Sequence, residues 1–80
     1  MSIFLTLDNL KIGMCAKVLG FDDNIEYGIK RRLLELGFVK DTIIKLNNIS
    51  MLKQVMLFEL NGYLLSLRRS VAKSIFVCRV

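Results

Sequence analysis

The chain has no histidine, no proline and no tryptophan, and only two cysteines in 80 residues. Each absence removes a class of function. Without histidine no Ser-His-Asp or Cys-His nucleophile can be assembled. Ser66, Ser70 and Ser74 therefore have none of the usual bases to activate them. Cys15 and Cys78 lack the CxxC spacing of a zinc site. They could meet only if the first and last strands pair, and otherwise they act as small apolar residues. The five glycines are too scattered for a phosphate-cradling loop or a dinucleotide fingerprint. No charge-free apolar run approaches the roughly 18 residues that span a bilayer. Ile3-Phe4-Leu5 is too short, and lacks the preceding basic residues, for a secretory signal. These exclusions lead to a single cytoplasmic domain over residues 1–80 with reduced thiols and no membrane span. No enzyme activity, catalytic residue, metal site or cofactor is expected.

What the chain does have is apolar residues. They make up 54% of it, and the mean hydropathy is +0.49. A domain of this size buries only about 60–65% of the surface its unfolded chain exposes. Some apolar surface is thus left for a partner or for a second copy of the chain. The net charge is +5, which permits contact with nucleic acid or an anionic membrane surface. Yet the charges are spread out, with adjacent arginines only at Arg31-Arg32 and Arg68-Arg69. Nucleic acid is therefore the less favoured partner, although small basic barrels do bind it.

The strongest local signal is the stretch from Asn24 to Phe38. Ile25, Ile29, Leu33 and Leu36 recur at the spacing of one helical face. Asn24 can cap the start, and Gly37 can take the left-handed conformation that ends a helix. The spacing predicts one main helix over about 24–37. Leu7 to Leu10 reads as a short turn. Strands are expected at 14–19, with Ala16 and Val18 on one face, and at 42–47, with Ile44 and Leu46 on one face. A loop is expected over Asn47 to Ser50. Further strands follow at 54–60, 63–67 and 75–80, with a single helical turn at 69–74. Asn61-Gly62 between two apolar runs predicts a two-residue hairpin. Five short strands, one main helix and short helical turns make a mostly β, α+β domain, a small partly open barrel.

Alternation along that hairpin turns Met56, Phe58 and Leu60 one way and Val55, Leu57 and Glu59 the other. On the second strand Tyr63, Leu65 and Leu67 stand on one face, and Leu64 and Ser66 on the other. Apolar residues thus stand on both faces, and the outer ones must be covered by another part of the chain or by a partner. Val55, Leu57 and Leu64 are the candidate docking residues, with Arg31 and Arg68 as a charged rim.

Arg32-Leu33, Glu35-Leu36-Gly37-Phe38, Thr42, Gly62, Leu65, Leu67-Arg68-Arg69, Ala72, Ile75 and Val77 together form a known pattern. It resembles that of the FeoA family, small proteins that accompany the bacterial ferrous iron transporter FeoB. The resemblance covers about residues 7–80 and rests on structural more than chemical positions. It implies an SH3-like β-barrel with helical insertions. It also implies a non-catalytic partner that docks on the cytosolic G-protein or membrane portion of the transporter and so sits at the inner face of the membrane. The chain departs from the pattern in two places. Lys40-Asp41 stands where the family has Pro-Gly, and Met51 to Val55 replaces a proline-containing loop.

Overall fold

The computed structural model describes residues 4–80, with the side chains described from residue 5 onward. The chain runs β1 (Phe4–Thr6), a one-turn 3₁₀ helix (Leu7–Asn9), β2 (Cys15–Phe21), α1 (Tyr27–Leu36) and β3 (Ile43–Ile49). It continues with β4 (Val55–Leu60), β5 (Tyr63–Arg68), α2 (Arg69–Ala72) and β6 (Ile75–Arg79). All strand pairs are antiparallel, in the order β1-β6-β2-β3-β4-β5. The sequence pattern yields five of these six strands. The additional one is β1, three residues held by pairing with β6, and too short to show a period of its own.

The alternation places the core as expected. Ala16 and Val18 of β2, Ile44 and Leu46 of β3, and Met56, Phe58 and Leu60 of β4 are all buried. They form one cluster with Leu7, Leu33, Phe38, Ile75 and Val77. Asn61 and Gly62 have φ of 50° and 84°, and Leu60 pairs with Tyr63. That is the two-residue hairpin with positive φ at both central residues.

Of the boundaries that differ from the sequence reading, three have a clear structural cause. β2 continues through Gly20 to Phe21 because a bulge between Val18 and Gly20 keeps it paired with β6. β3 runs on to Ile49 through a bulge between Leu46 and Asn48, so the expected loop at 47–50 is mostly strand. Pairing with β4 satisfies its backbone and overrides the turn-forming asparagines. The helix begins at Tyr27, not at Asn24. Asp22 Oδ1 accepts from Asn24 N–H at 2.8 Å. This local turn competes with helix at the very position where a cap was expected.

The end of α1 is as predicted. Gly37 has φ 111°, its N–H donates to Leu34 C=O, and Phe38 N–H donates to Leu33 C=O. This paired closure satisfies two carbonyls that the helix itself cannot. It also drops Phe38 into the core, where it is fully buried. Further on, Asp41 occupies the place of the family's glycine with φ 75°. Aspartate tolerates that conformation better than most side chains. Asp41 N–H donates to Val18 C=O at 2.8 Å, and Val18 N–H donates to Thr42 C=O at 2.9 Å. The turn is therefore tied to β2 without a proline.

Candidate partner-binding surface

The β4–β5 register decides where the outer hairpin residues stand. Val55 lies opposite Arg68, Leu57 opposite Ser66, and Glu59 opposite Leu64. Directly opposed residues share a face of the sheet. Val55, Leu57, Leu64 and Arg68 are therefore on one surface. Leu64 is 54% exposed and Val55 39%, while Leu57 is half-buried. On the next strand Lys45 faces Glu59, and Asn48 faces Leu57. The result is a small apolar strip with Arg68 at one end and the Lys45–Glu59 pair at the other.

Arg31 is elsewhere. It sits on α1, where its guanidinium Nε lies 3.5 Å from Glu35 one turn later, with both side chains largely exposed. The neighbouring Arg32 is the arginine that helps line a groove between α1 and β5, of about 360 Å³, with Leu33, Leu36, Leu65 and Leu67. At about 100° per residue Arg32 borders the apolar face of α1 and Arg31 lies nearly opposite it, so the helical period already separates the two.

Cys15 and Cys78 come onto adjacent strands. Lys17 pairs with Cys78 across β2 and β6, which puts Cys15 diagonal to Cys78 on the same face. Both remain free thiols. Among the described residues no three His, Cys, Asp or Glu side chains gather as a metal would require. No described helix is long and apolar enough to cross a membrane.

A sheet of this order, with a short helical turn joining β5 to β6 and one helix ahead of β3, has counterparts among known proteins. The FeoA domain model matches residues 5–79. The chain belongs to the FeoA family. The FeoA protein of Chlorobium tepidum superposes with a TM-score of 0.87 at 32% identity, over 95% of this chain and 70% of that one. A FeoA-like protein of Clostridium acetobutylicum superposes with a TM-score of 0.87 at 30% identity, over 100% of this chain and 91% of that one. Stenotrophomonas maltophilia FeoA, determined with zinc and described as a prokaryotic SH3 domain protein, gives a TM-score of 0.80 at 31% identity. That match covers 91% of this chain and 88% of the other. No curated protein sequence matches. The fold is the SH3-like one that the sequence pattern implied.

Proposed function

We propose that this FeoA-family chain is a non-catalytic, cytoplasmic accessory of ferrous iron uptake. It docks on the cytosolic side of the transporter FeoB through the outer face of the β4–β5 hairpin. The observation that carries this reading is the strip in which exposed Val55 and Leu64 flank half-buried Leu57 on the outer face of the hairpin. In a family with a member described as a candidate ferrous iron transport activating factor, a partly exposed apolar strip is best explained by a protein partner. Apolar contact supplies affinity, and Arg68 at the edge steers approach and fixes register. Arg31, on α1 and weakly paired with Glu35, is the second rim charge.

The test is calorimetric titration of the chain into the cytosolic domain of the transporter. Saturable binding with a negative heat-capacity change is expected, as for buried apolar surface. Leu57→Asp should weaken it at least about tenfold, since a carboxylate in an apolar contact is left without a partner. Because Leu57 is only half-buried, the circular dichroism spectrum of the variant should remain native. Unchanged affinity in a folded variant refutes the hairpin face as the docking surface. Two other readings, a nucleic-acid-binding barrel and a self-associating module, predict different results. The first predicts steep loss of affinity with salt, and the second predicts concentration-dependent light scattering.

A further inference from the structure

We propose that the loop between β3 and β4, residues 50–54, is a membrane-docking tip. Met51 and Leu52 enter the interfacial layer of an anionic bilayer while Lys53 and Arg68 stand against its headgroups. The inference goes beyond docking on a transporter and does not depend on it, because the tip binds lipid with no protein partner present.

Met51 is 98% exposed and Leu52 81%. Two adjacent large apolar side chains this exposed on a loose loop could turn back onto the core. Here the backbone prevents it. Ser50 N–H donates to Val55 C=O and Lys53 N–H to Ser50 C=O, both at 2.8 Å. Val55 N–H donates to Ser50 Oγ at 3.1 Å. From α2, Arg69 N–H donates to Gln54 C=O at 2.8 Å and Arg69 Nε to Lys53 C=O at 2.9 Å. Lys53 itself is held at φ 61°. The loop is a hydrogen-bonded turn that holds its two apolar side chains outward.

Charge selects the surface it meets. Lys53 is on the loop, and Arg68 is paired with Val55 at its base. Both are exposed, and neither has an acidic partner among the described residues. The acidic residue tied to this region is Asp8, and it is engaged by Arg69 at 3.9 Å. Glu59 stands four residues further along β4, about 13 Å away at the rise of a strand. Asp22, Asp23 and Glu26 precede α1, and Asp41 follows it. The tip therefore carries two exposed cations with no acidic partner beside them among the described residues. Size selects lipid over protein. Two side chains at a convex tip offer far less than the roughly 800 Å² per partner of a stable protein interface. They are enough to sit at a headgroup boundary when basic residues beside them meet an anionic leaflet.

The experiment uses the whole chain and vesicles without any transporter. The chain should sediment with vesicles containing about 30% phosphatidylserine and far less with pure phosphatidylcholine. Binding should weaken as salt rises from about 0.05 to 0.3 M. Met51→Ser with Leu52→Ser should reduce bound chain at least about fivefold, and Lys53→Glu with Arg68→Glu should do the same. Because the chain lacks tryptophan, Leu52→Trp gives one emitter, whose fluorescence should shift to the blue on the anionic vesicles. Tyr27→Trp on α1, at a position 75% exposed, should show no shift. Failure of the unmodified chain to sediment with anionic vesicles overturns the proposal. So does binding that the double serine variant leaves intact, or an unshifted Leu52→Trp emission in bound chain. Loss of affinity for the transporter domain, or of self-association, in the double serine variant without any vesicle binding overturns it in favour of a protein contact.

Discussion

Gly37→Ala isolates what ties α1 to the hairpin. Gly37 has φ 111°, outside the narrow left-handed region that L-residues can enter. A Cβ there would lie 2.6 Å from Asn61 Nδ2 and 3.4 Å from Leu60 Cδ1. Two costs are thus superposed, backbone strain and a clash. Strain at such a position is about 1–3 kcal/mol. The unfolded chain loses freedom when glycine becomes alanine, which offsets about 0.4–1 kcal/mol. The clash is the smaller cost, because the atom in the way is the end of a side chain that can rotate. A net loss of about 1–2 kcal/mol is expected. At about 4–8 °C per kcal/mol for a domain of this size, the melting temperature falls by roughly 5–15 °C. Urea denaturation followed by circular dichroism measures the loss. Asn61→Gly removes the obstructing amide while keeping a residue suited to φ 50°, and so separates the terms. In the double variant it should restore less than about 0.5 kcal/mol. Restoration of most of the loss would refute the strain argument and make the clash dominant. A Gly37→Ala chain as stable as the original would refute both.

Other substitutions probe the core and the loop. Phe58→Ala empties a fully buried position and should cost about 3–5 kcal/mol. An 80-residue domain has about 4–12 kcal/mol in total, so its cooperative thermal transition should fall far or vanish. Arg69→Ala removes both the hydrogen bond to Lys53 C=O and the pair with Asp8. It should cost about 1–2 kcal/mol and speed hydrogen exchange at the amides of Lys53 and Val55. Arg31→Ala, which breaks only an exposed pair one helical turn apart, should change stability by less than about 0.5 kcal/mol. A larger effect there would mean that Arg31 has a contact beyond Glu35.

Periodicity made most of the fold legible. Ala16-Val18, Ile44-Leu46 and Met56-Phe58-Leu60 alternate cleanly because one face of each strand packs on the core and the other does not. Asn61-Gly62 and Gly37 were legible because each needs positive φ that few residues adopt. What escaped was set by neighbours in space. β1 exists through its pairing with β6. β3 passes its two asparagines as strand because β4 lies alongside. Asn24 yields its cap to a turn made by Asp22. The surface was harder still. The outer strip of Val55, Leu57 and Leu64 follows from alternation, while on α1 it is the helical period that sets Arg32, and not Arg31, beside the groove next to β5. The run Met51-Leu52, however, does not disclose its exposure in composition. Read as sequence it is simply two more apolar residues, and only the five hydrogen bonds around it turn them outward.

The same loop explains how the chain manages without the family's proline, and it supplies a test with two readouts of opposite sign. Proline would stiffen the loop by fixing φ. Here stiffness comes from Ser50 and Arg69, and the reversal is completed by Lys53 at φ 61°. Lysine is a poor choice for that conformation. Glycine would relieve about 1–2 kcal/mol of strain against about 0.5–1 kcal/mol of added chain entropy in the unfolded state. Lys53→Gly should therefore stabilise the fold by about 0.5–1 kcal/mol, read as a higher urea midpoint. It also removes one of two unpaired cations at the tip, worth about 1 kcal/mol against an anionic leaflet. Vesicle affinity should then fall about fivefold. A strained lysine that costs stability and supports binding gives opposite signs in the two assays. A Lys53→Gly chain that is more stable and binds vesicles as tightly would show that the charge has no role at the membrane. One that is less stable would show that the strain is not there to relieve.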